Sequence, residues 1–193
     1  MCVASIRVRQ VCTQTAWHGG CVQSTNTCSQ AQINQIGTAL CNINAKVNAC
    51  TLNGLQGLKN SLLAAFNDVN WTCGNLGAGV LAQTDRVGGS EITLSPSAFA
   101  STTARFEAIV FHELIHHGGG TELDAEAFEN HCYASSGATF PTDPDDFDDF
   151  RANGGNFVTW NQATGRLTTT AGNVMTPIFL DPTPPSGGSG GWI

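Results

Sequence analysis

The segment Phe111–His117, followed at once by Gly118–Gly120, constrains the fold of this chain more than any other stretch. It contains the pattern His-Glu-x-x-His. On a helix, residues four apart lie on one face, so His112 and His116 project in the same direction. Two imidazole nitrogens at that spacing suit a tetrahedral zinc ion, and the carboxylate of Glu113 can reach a metal-bound water. The segment therefore predicts a helix that carries two zinc ligands and ends at the glycines.

The ten residues before this segment predict that the helix is long and largely buried. Ser101 is the predicted N-cap. Apolar side chains then recur at helical spacing, at Phe106, Ile109, Val110 and Leu114. The histidines therefore fall on the last turns of a core helix, and this context strengthens a pattern that is weak by itself.

A second helix is predicted directly after the glycines, over residues 121–133. Thr121, followed three residues later by Asp124, resembles a capping box with Asp in place of the usual Glu or Gln. Glu122 and Glu126 are four residues apart and share a face. A catalytic zinc ion needs a third protein ligand, which Glu122 can supply. Glu126, one turn later, can accept a proton from the far nitrogen of a zinc-bound histidine.

Together these residues resemble the gluzincin zinc metallopeptidases over roughly positions 90 to 133. The run Glu-Leu-Asp-Ala-Glu-Ala-Phe, residues 122–128, is particularly similar to the lethal-factor type and to the CAAX-prenyl endopeptidases. The resemblance implies an α+β, zincin-like fold, with a small mixed sheet, a helix that carries the motif and a ligand helix. It implies a zinc-dependent endopeptidase with the zinc ligands His112, His116 and Glu122, the general base Glu113 and the orienting residue Glu126.

Two neighbouring families give different interpretations of the same residues. Gly120 to Asp124 resembles the Gly-Thr-x-x-Asp of deuterolysin-like aspzincins, which implies Asp124 as the third ligand, although the Tyr-Gly of that pattern is absent. The spacing from His112 to Glu122 also matches the metzincins, and the residues around Met175 resemble their Met-turn. Glu122 is the ligand in the gluzincin and metzincin interpretations, and the gap of only six residues after the second histidine is short for a gluzincin.

Composition indicates a globular chain of 193 residues that acts in an oxidising compartment. A net charge of -7 with only 8 Lys and Arg argues against nucleic acid or an anionic membrane as a partner. No apolar run reaches the roughly 18 residues of a spanning helix, and the first ten residues lack the apolar core of a signal peptide. The 8 cysteines include no Cys-x-x-Cys, which predicts four disulfides and a secreted protein.

The remaining patterns divide the chain into a cysteine-rich arm (1–28), a metallopeptidase domain (29–180) and a Pro/Gly/Ser-rich tail or linker (181–193). Helical periodicity begins at Ser29 and again at Leu55. Short strands are predicted at 70–73, 79–83 and 91–94. The last of these strands is expected to form the sheet edge beside the zinc helix, where an extended peptide substrate could pair with it.

Further candidate sites follow from single residues and from one acidic run. The oxyanion of peptide hydrolysis needs a second stabiliser besides zinc, and the candidates are His117, His131 and Tyr133. Five aspartates between residues 143 and 149 are expected to form a solvated loop, with a calcium site as the less favoured interpretation.

The expected activity is hydrolysis of peptide bonds in a protein or peptide substrate. Zinc activates a water, and Glu113 takes its proton and later delivers that proton to the leaving amine. The alternative is a secreted zinc-binding interaction module without turnover. The presence of Glu113 favours the enzyme, because loss of the base is the simplest route to an inactive relative.

Overall fold

The computed structural model describes residues 6–8, 10–14, 21–49, 56–133, 155–161, 166–172 and 175. In chain order the described elements are β1 (Arg7–Val8), β2 (Gln10–Gln14), β3 (Cys21–Asn26), α1 (Gln30–Ala49), α2 (Gln56–Asp68), β4 (Asn70–Cys73), β5 (Ala82–Thr84), β6 (Glu91–Leu94), α3 (Pro96–Phe99), α4 (Thr103–His117), α5 (Glu122–Tyr133), β7 (Val158–Asn161) and β8 (Arg166–Thr169). These elements confirm the predicted α+β class. The aspartate run at 143–149 and the tail at 181–193 lie outside the described residues.

The central sheet has the strand order β1-β4-β6-β5, in which β5 alone runs antiparallel to its neighbour. The sheet is therefore mixed, as predicted, but β6 is an inner strand and the prediction that residues 91–94 form the edge is wrong. β5 forms the edge instead, because a tight turn after Thr84 folds β6 back between β5 and β4. Asp85 closes this turn by accepting a hydrogen bond from the main-chain nitrogen of Glu91 (3.1 Å), and Gly88 supplies a positive φ of 73°.

The two long N-terminal helices pack against α4 and bury the apolar faces that the sequence predicts. Ser29 and Gln32 cap the start of α1 reciprocally, each accepting a hydrogen bond from the main-chain nitrogen of the other. The buried side chains of α1 and α2 are Ile36, Ala39, Leu40, Ile43, Val47, Leu58 and Leu62. A disulfide between Cys28 and Cys73 joins the residues before α1 to the end of β4. The first helices and the sheet thus form one core around α4.

Helix α4 ends at the glycines, as the sequence predicts. Its N-cap is Thr102, one residue after the predicted Ser101, and the Thr102 hydroxyl accepts a hydrogen bond from the main-chain nitrogen of Arg105. Gly119 adopts a φ of 93°, in the left-handed region that favours glycine. This residue reverses the chain, so that α5 packs back along α4. Within the described residues, no helix is long and apolar enough to cross a membrane.

Replacing Gly119 by alanine should lower the free energy of unfolding by about 1–2 kcal/mol, because a side chain disfavours the left-handed backbone. Urea unfolding followed by circular dichroism measures the change. Gly57→Ala is the matched control, since Gly57 is exposed near the start of α2 and a Cβ there meets nothing within 4 Å. The control should stabilise the fold by about 0.4–1 kcal/mol. Equal effects of the two substitutions would contradict the assigned role of Gly119.

Candidate metal centre

Three side chains from α4 and α5 converge on one point. The Nε2 atoms of His112 and His116 lie 3.2 Å apart. The two carboxylate oxygens of Glu122 lie 3.0 Å from these nitrogens, one oxygen against each ring. The group could hold a metal ion. The two histidines face the same point because they are one helical turn apart on α4. Glu122 reaches them because the glycine turn brings the first residue of α5 beside the last turns of α4.

The spacing and chemistry of these donors fit zinc. A tetrahedral zinc ion with bonds of about 2.0–2.2 Å places neighbouring ligand atoms about 3.3 Å apart, close to the separations seen here. Two imidazoles and one carboxylate also form a typical donor set for that ion. The side chains of His112 and His116 are 16% and 13% exposed, whereas that of Glu122 is 56% exposed. The centre is therefore accessible from the side of Glu122.

Each histidine is oriented by a hydrogen bond from its far nitrogen. The Nδ1 of His112 donates to Glu129 (3.1 Å), and the Nδ1 of His116 donates to the carbonyl oxygen of Gly120 (3.0 Å). The other oxygen of Glu129 accepts a 2.6 Å hydrogen bond from Arg105. With a proton on Nδ1, the Nε2 lone pair of each ring faces the centre, as metal ligation requires.

The residue that contacts His112 is therefore Glu129, which corrects the sequence-based assignment of this role to Glu126. The difference arises because α5 runs antiparallel along α4. Glu129 lies seven residues, or two turns, beyond Glu122 and shares its face. Glu126 is half-buried one turn earlier. The seven-residue spacing is visible in the sequence, but its use depends on how the two helices pack.

Glu113 is buried, with 6% of its surface exposed, and it points towards the edge strand. The hydroxyl of Thr84 lies 2.7 Å from Oε2 of Glu113 and 3.2 Å from the main-chain oxygen of the same residue. The negative charge of Glu113 contributes to the raised pKa of His112, so the carboxylate lies near that ring without being one of the three converging groups. This is the placement expected of a base that acts beside a metal ion.

The acidic residues around the two histidines favour positive charge at the centre. Burial is the largest influence on His112 and lowers its pKa, but hydrogen bonds to Glu122 and Glu129, with the charges of Glu122 and Glu113, raise it overall from 6.5 to about 10. Burial likewise lowers the pKa of His116, yet the bond to Glu122 raises it overall. Burial acts to raise the pKa of Glu122, but the two histidines hold it well below its usual range.

Asp124, the alternative third ligand, serves a different purpose. Its carboxylate is fully buried and accepts five hydrogen bonds. Two come from the nitrogen and hydroxyl of Thr121, and three come from the main-chain nitrogens of Asn156, Phe157 and Val158. A side chain saturated in this way cannot also bind a metal, so the aspzincin interpretation is wrong for Asp124. The carboxylate instead caps α5, as the predicted capping box requires, and fastens the helix to β7.

The candidate oxyanion stabilisers lie in different surroundings. Tyr133 is buried against the ring of Phe111 (5.3 Å between centroids) and under the ammonium group of Lys46. It lies about 16 Å along α5 from Glu122, by helical rise. Burial and the charge of Glu107 raise the pKa of Tyr133 above its usual range. Tyr133 is thus a core residue.

The other candidates lie at the two ends of the paired helices. His117 donates from Nδ1 to the carbonyl oxygen of Gly89 (2.6 Å), in the turn between β5 and β6. His131 is half-buried nine residues beyond Glu122.

Met175 is buried, and its main-chain nitrogen bonds to the oxygen of Leu167 (3.0 Å). Most of the predicted Met-turn around it lies outside the described residues.

Comparisons with known proteins give no indication of function for this chain. No protein-family model, no curated protein and no solved structure matches the chain. A fold class hosts many chemistries, so function has to be argued from the site in any case. The convergence of His112, His116 and Glu122 beside a buried Glu113 supplies that argument.

Glu129→Gln should weaken zinc binding by about 10- to 100-fold, because an amide orients His112 less firmly than a carboxylate and makes its ring a poorer ligand. Competition with a chromophoric chelator measures the affinity. Glu126→Gln is the matched control on the same helix and should change the affinity by less than about threefold. The reverse ranking of the two variants would return the orienting role to Glu126.

Zinc binding should release at least one proton per ion between pH 6.5 and about 10, because His112 in the chelator-treated protein holds a proton throughout that window. Since the pKa of His112 is raised, the observed affinity should increase with pH until that value is passed. Titration calorimetry in buffers with different heats of ionisation counts the protons. A binding heat that is independent of the buffer would show that His112 is already neutral.

Proposed function

We propose that this protein is a zinc-dependent endopeptidase of the gluzincin-like type. Its zinc ligands are His112, His116 and Glu122, and its general base is Glu113. The observation that carries the proposal is the convergence of His112, His116 and Glu122 at zinc-like separations, with the buried Glu113 close enough to His112 for its charge to raise the pKa of that ring. A structural zinc site has a fourth protein ligand, whereas among the described residues three side chains converge here and one side is exposed, which suits catalysis.

The surrounding elements support a zincin-like arrangement. An antiparallel edge strand, β5, lies beside the motif helix α4. A glycine turn then leads to the ligand helix α5, whose first residue is Glu122. A peptide that adds to the free edge of β5 would run past the metal centre, and its main chain would be held in an extended conformation. The substrate class is accordingly an unfolded or extended polypeptide.

The chemistry follows from the charges of the site. His112, His116 and Glu122 would hold the zinc ion, which would supply polarisation of the scissile carbonyl and lower the pKa of a water molecule towards ~7. Glu113 accepts the proton of the attacking water and then donates it to the nitrogen of the leaving amine. Glu129 and the Gly120 carbonyl keep both histidine rings oriented during these steps. Burial of Glu113 excludes bulk water that would compete for its proton.

The cysteines support an oxidising compartment for this activity. Cys28 and Cys73 form a disulfide, and Cys41 and Cys132 are also disulfide-bonded. Cys132 lies on the ligand helix α5, next to the buried Tyr133. We therefore propose a secreted enzyme, because such bonds persist outside the reducing cytosol.

The decisive test is hydrolysis of casein by the oxidised, zinc-loaded protein and by its Glu113→Gln variant. The parent should cleave casein, and the variant should lose about 10²- to 10⁴-fold in kcat, because the base is gone. The variant should still bind zinc, because Glu113 is not one of the three converging residues. Glu107→Gln is the matched control on the same helix, since Glu107 bonds to Asn42 away from the centre, and it should keep full activity.

Three other outcomes of the casein experiment would lead to different conclusions. Equal loss in both variants would show that the helix, rather than the base, is affected. Full activity in Glu113→Gln would contradict the assigned mechanism. If all three proteins bind zinc and none cleaves casein or a library of extended peptides, the protein is a zinc-binding interaction module and the proposed activity is wrong.

A further inference from the structure

One side chain connects the edge strand β5 to Glu113, the proposed general base. Thr84, the last residue of β5, has its hydroxyl oxygen 2.7 Å from Oε2 of Glu113 and 3.2 Å from the main-chain oxygen of that residue. A hydroxyl has one proton to donate. The shorter contact, to a charged oxygen, is the stronger of the two, so the proton is donated to the carboxylate.

We propose that Thr84 is a positioning residue that holds the carboxylate of Glu113 in the orientation its role as a base requires. This inference rests on the proposed hydrolytic function, because it assigns Thr84 a role in the same reaction. The hydroxyl holds Oε2 and leaves Oε1, which has no hydrogen-bond partner among the described residues, for the proton of the attacking water.

Thr84 can position Glu113 because Thr84 is itself held firmly. The β5 backbone pairs with β6, with Thr84 opposite Ile92. The turn that follows β5 bonds to the end of α4. The main-chain nitrogen of Gly88 donates to the oxygen of His116 (2.7 Å), next to the bond from His117 to Gly89. The turn and the end of the helix are therefore joined by two further hydrogen bonds beyond the Thr84 contact, and the hydroxyl has little freedom to move.

The contact also links substrate binding to the base. Side chains alternate along a strand, so Ala82 and Thr84 lie on one face of β5 and Gln83 lies on the other. Gln83 is exposed, and the other two are half-buried. The strand whose free edge would bind an extended peptide thus contacts Glu113 through its buried face. A displacement of β5 would move the peptide and the base together, which keeps the scissile bond in register with Glu113.

Two substitutions of Thr84 distinguish the effect of its hydroxyl group from the effect of its side-chain shape. Thr84→Val keeps the shape and removes the hydroxyl, whereas Thr84→Ser keeps the hydroxyl and removes a methyl group. With zinc-loaded protein and casein-derived peptides, Thr84→Val should lower kcat by about tenfold or more with KM nearly unchanged. Thr84→Ser should stay within about threefold of the parent. Zinc affinity should be unchanged in both, because neither touches a ligand.

A second measurement needs neither zinc nor turnover. Urea unfolding of the chelator-treated parent, Thr84→Val, Glu113→Ala and the double variant forms a double-mutant cycle. Thr84→Val should shift the unfolding midpoint of the parent and have a clearly smaller effect in the Glu113→Ala background. Additive effects would mean that the hydroxyl serves only the main-chain oxygen of Glu113, and this would overturn the inference.

The outcomes separate this inference from the proposed function. If the parent and Thr84→Val cleave equally well, the enzyme stands and the role of Thr84 is wrong. If Thr84→Ser fails as badly as Thr84→Val, the methyl group rather than the hydroxyl matters, and the inference is again overturned. A parent that binds no zinc and cleaves no peptide overturns the proposed function, and the inference with it.

Discussion

The buried carboxylate of Asp124 determines where the second helix of the site begins. It accepts hydrogen bonds from Thr121, at the start of α5, and from three successive main-chain nitrogens that lead into β7. A charge in the core is tolerated only when it is bonded as fully as this. The cap lies two residues beyond Glu122, so the same bonds that stabilise the helix start also place the third converging side chain opposite the two histidines.

The candidate metal centre depends on the charges of the acidic side chains around its two histidines. Glu113, Glu122 and Glu129 lie around two imidazoles in a largely buried place, where burial lowers the pKa of each histidine but hydrogen bonds and acidic neighbours raise it overall. A divalent ion would satisfy the same carboxylates, and the three converging side chains could hold one. Arg105 contributes to this balance from the outer side, because it neutralises Glu129 without approaching the centre.

The edge strand β5 contacts α4, as α5 does, and contributes to the proposed active site. Its position comes from the β5–β6 turn, which places β6 inside the sheet and leaves β5 at an edge of the sheet that the described residues form. Thr84 and the turn after it contact three residues of the motif, Glu113, His116 and His117. The sheet therefore contacts the motif residues directly, in addition to packing against α4 in the core.

Local patterns in the sequence determined the helices and the alignment of two of the three converging side chains. The four-residue spacing puts His112 and His116 on one face of any helix, and the glycines after them force a break whatever packs nearby. Tertiary structure decided the remaining contacts. Glu129 rather than Glu126 meets His112 because of the antiparallel packing of α5, and Thr84 reaches Glu113 from 29 residues away because of a sheet edge. Side-chain periodicity records which face of an element is buried, whereas the partner across that face depends on long-range packing that no local spacing encodes.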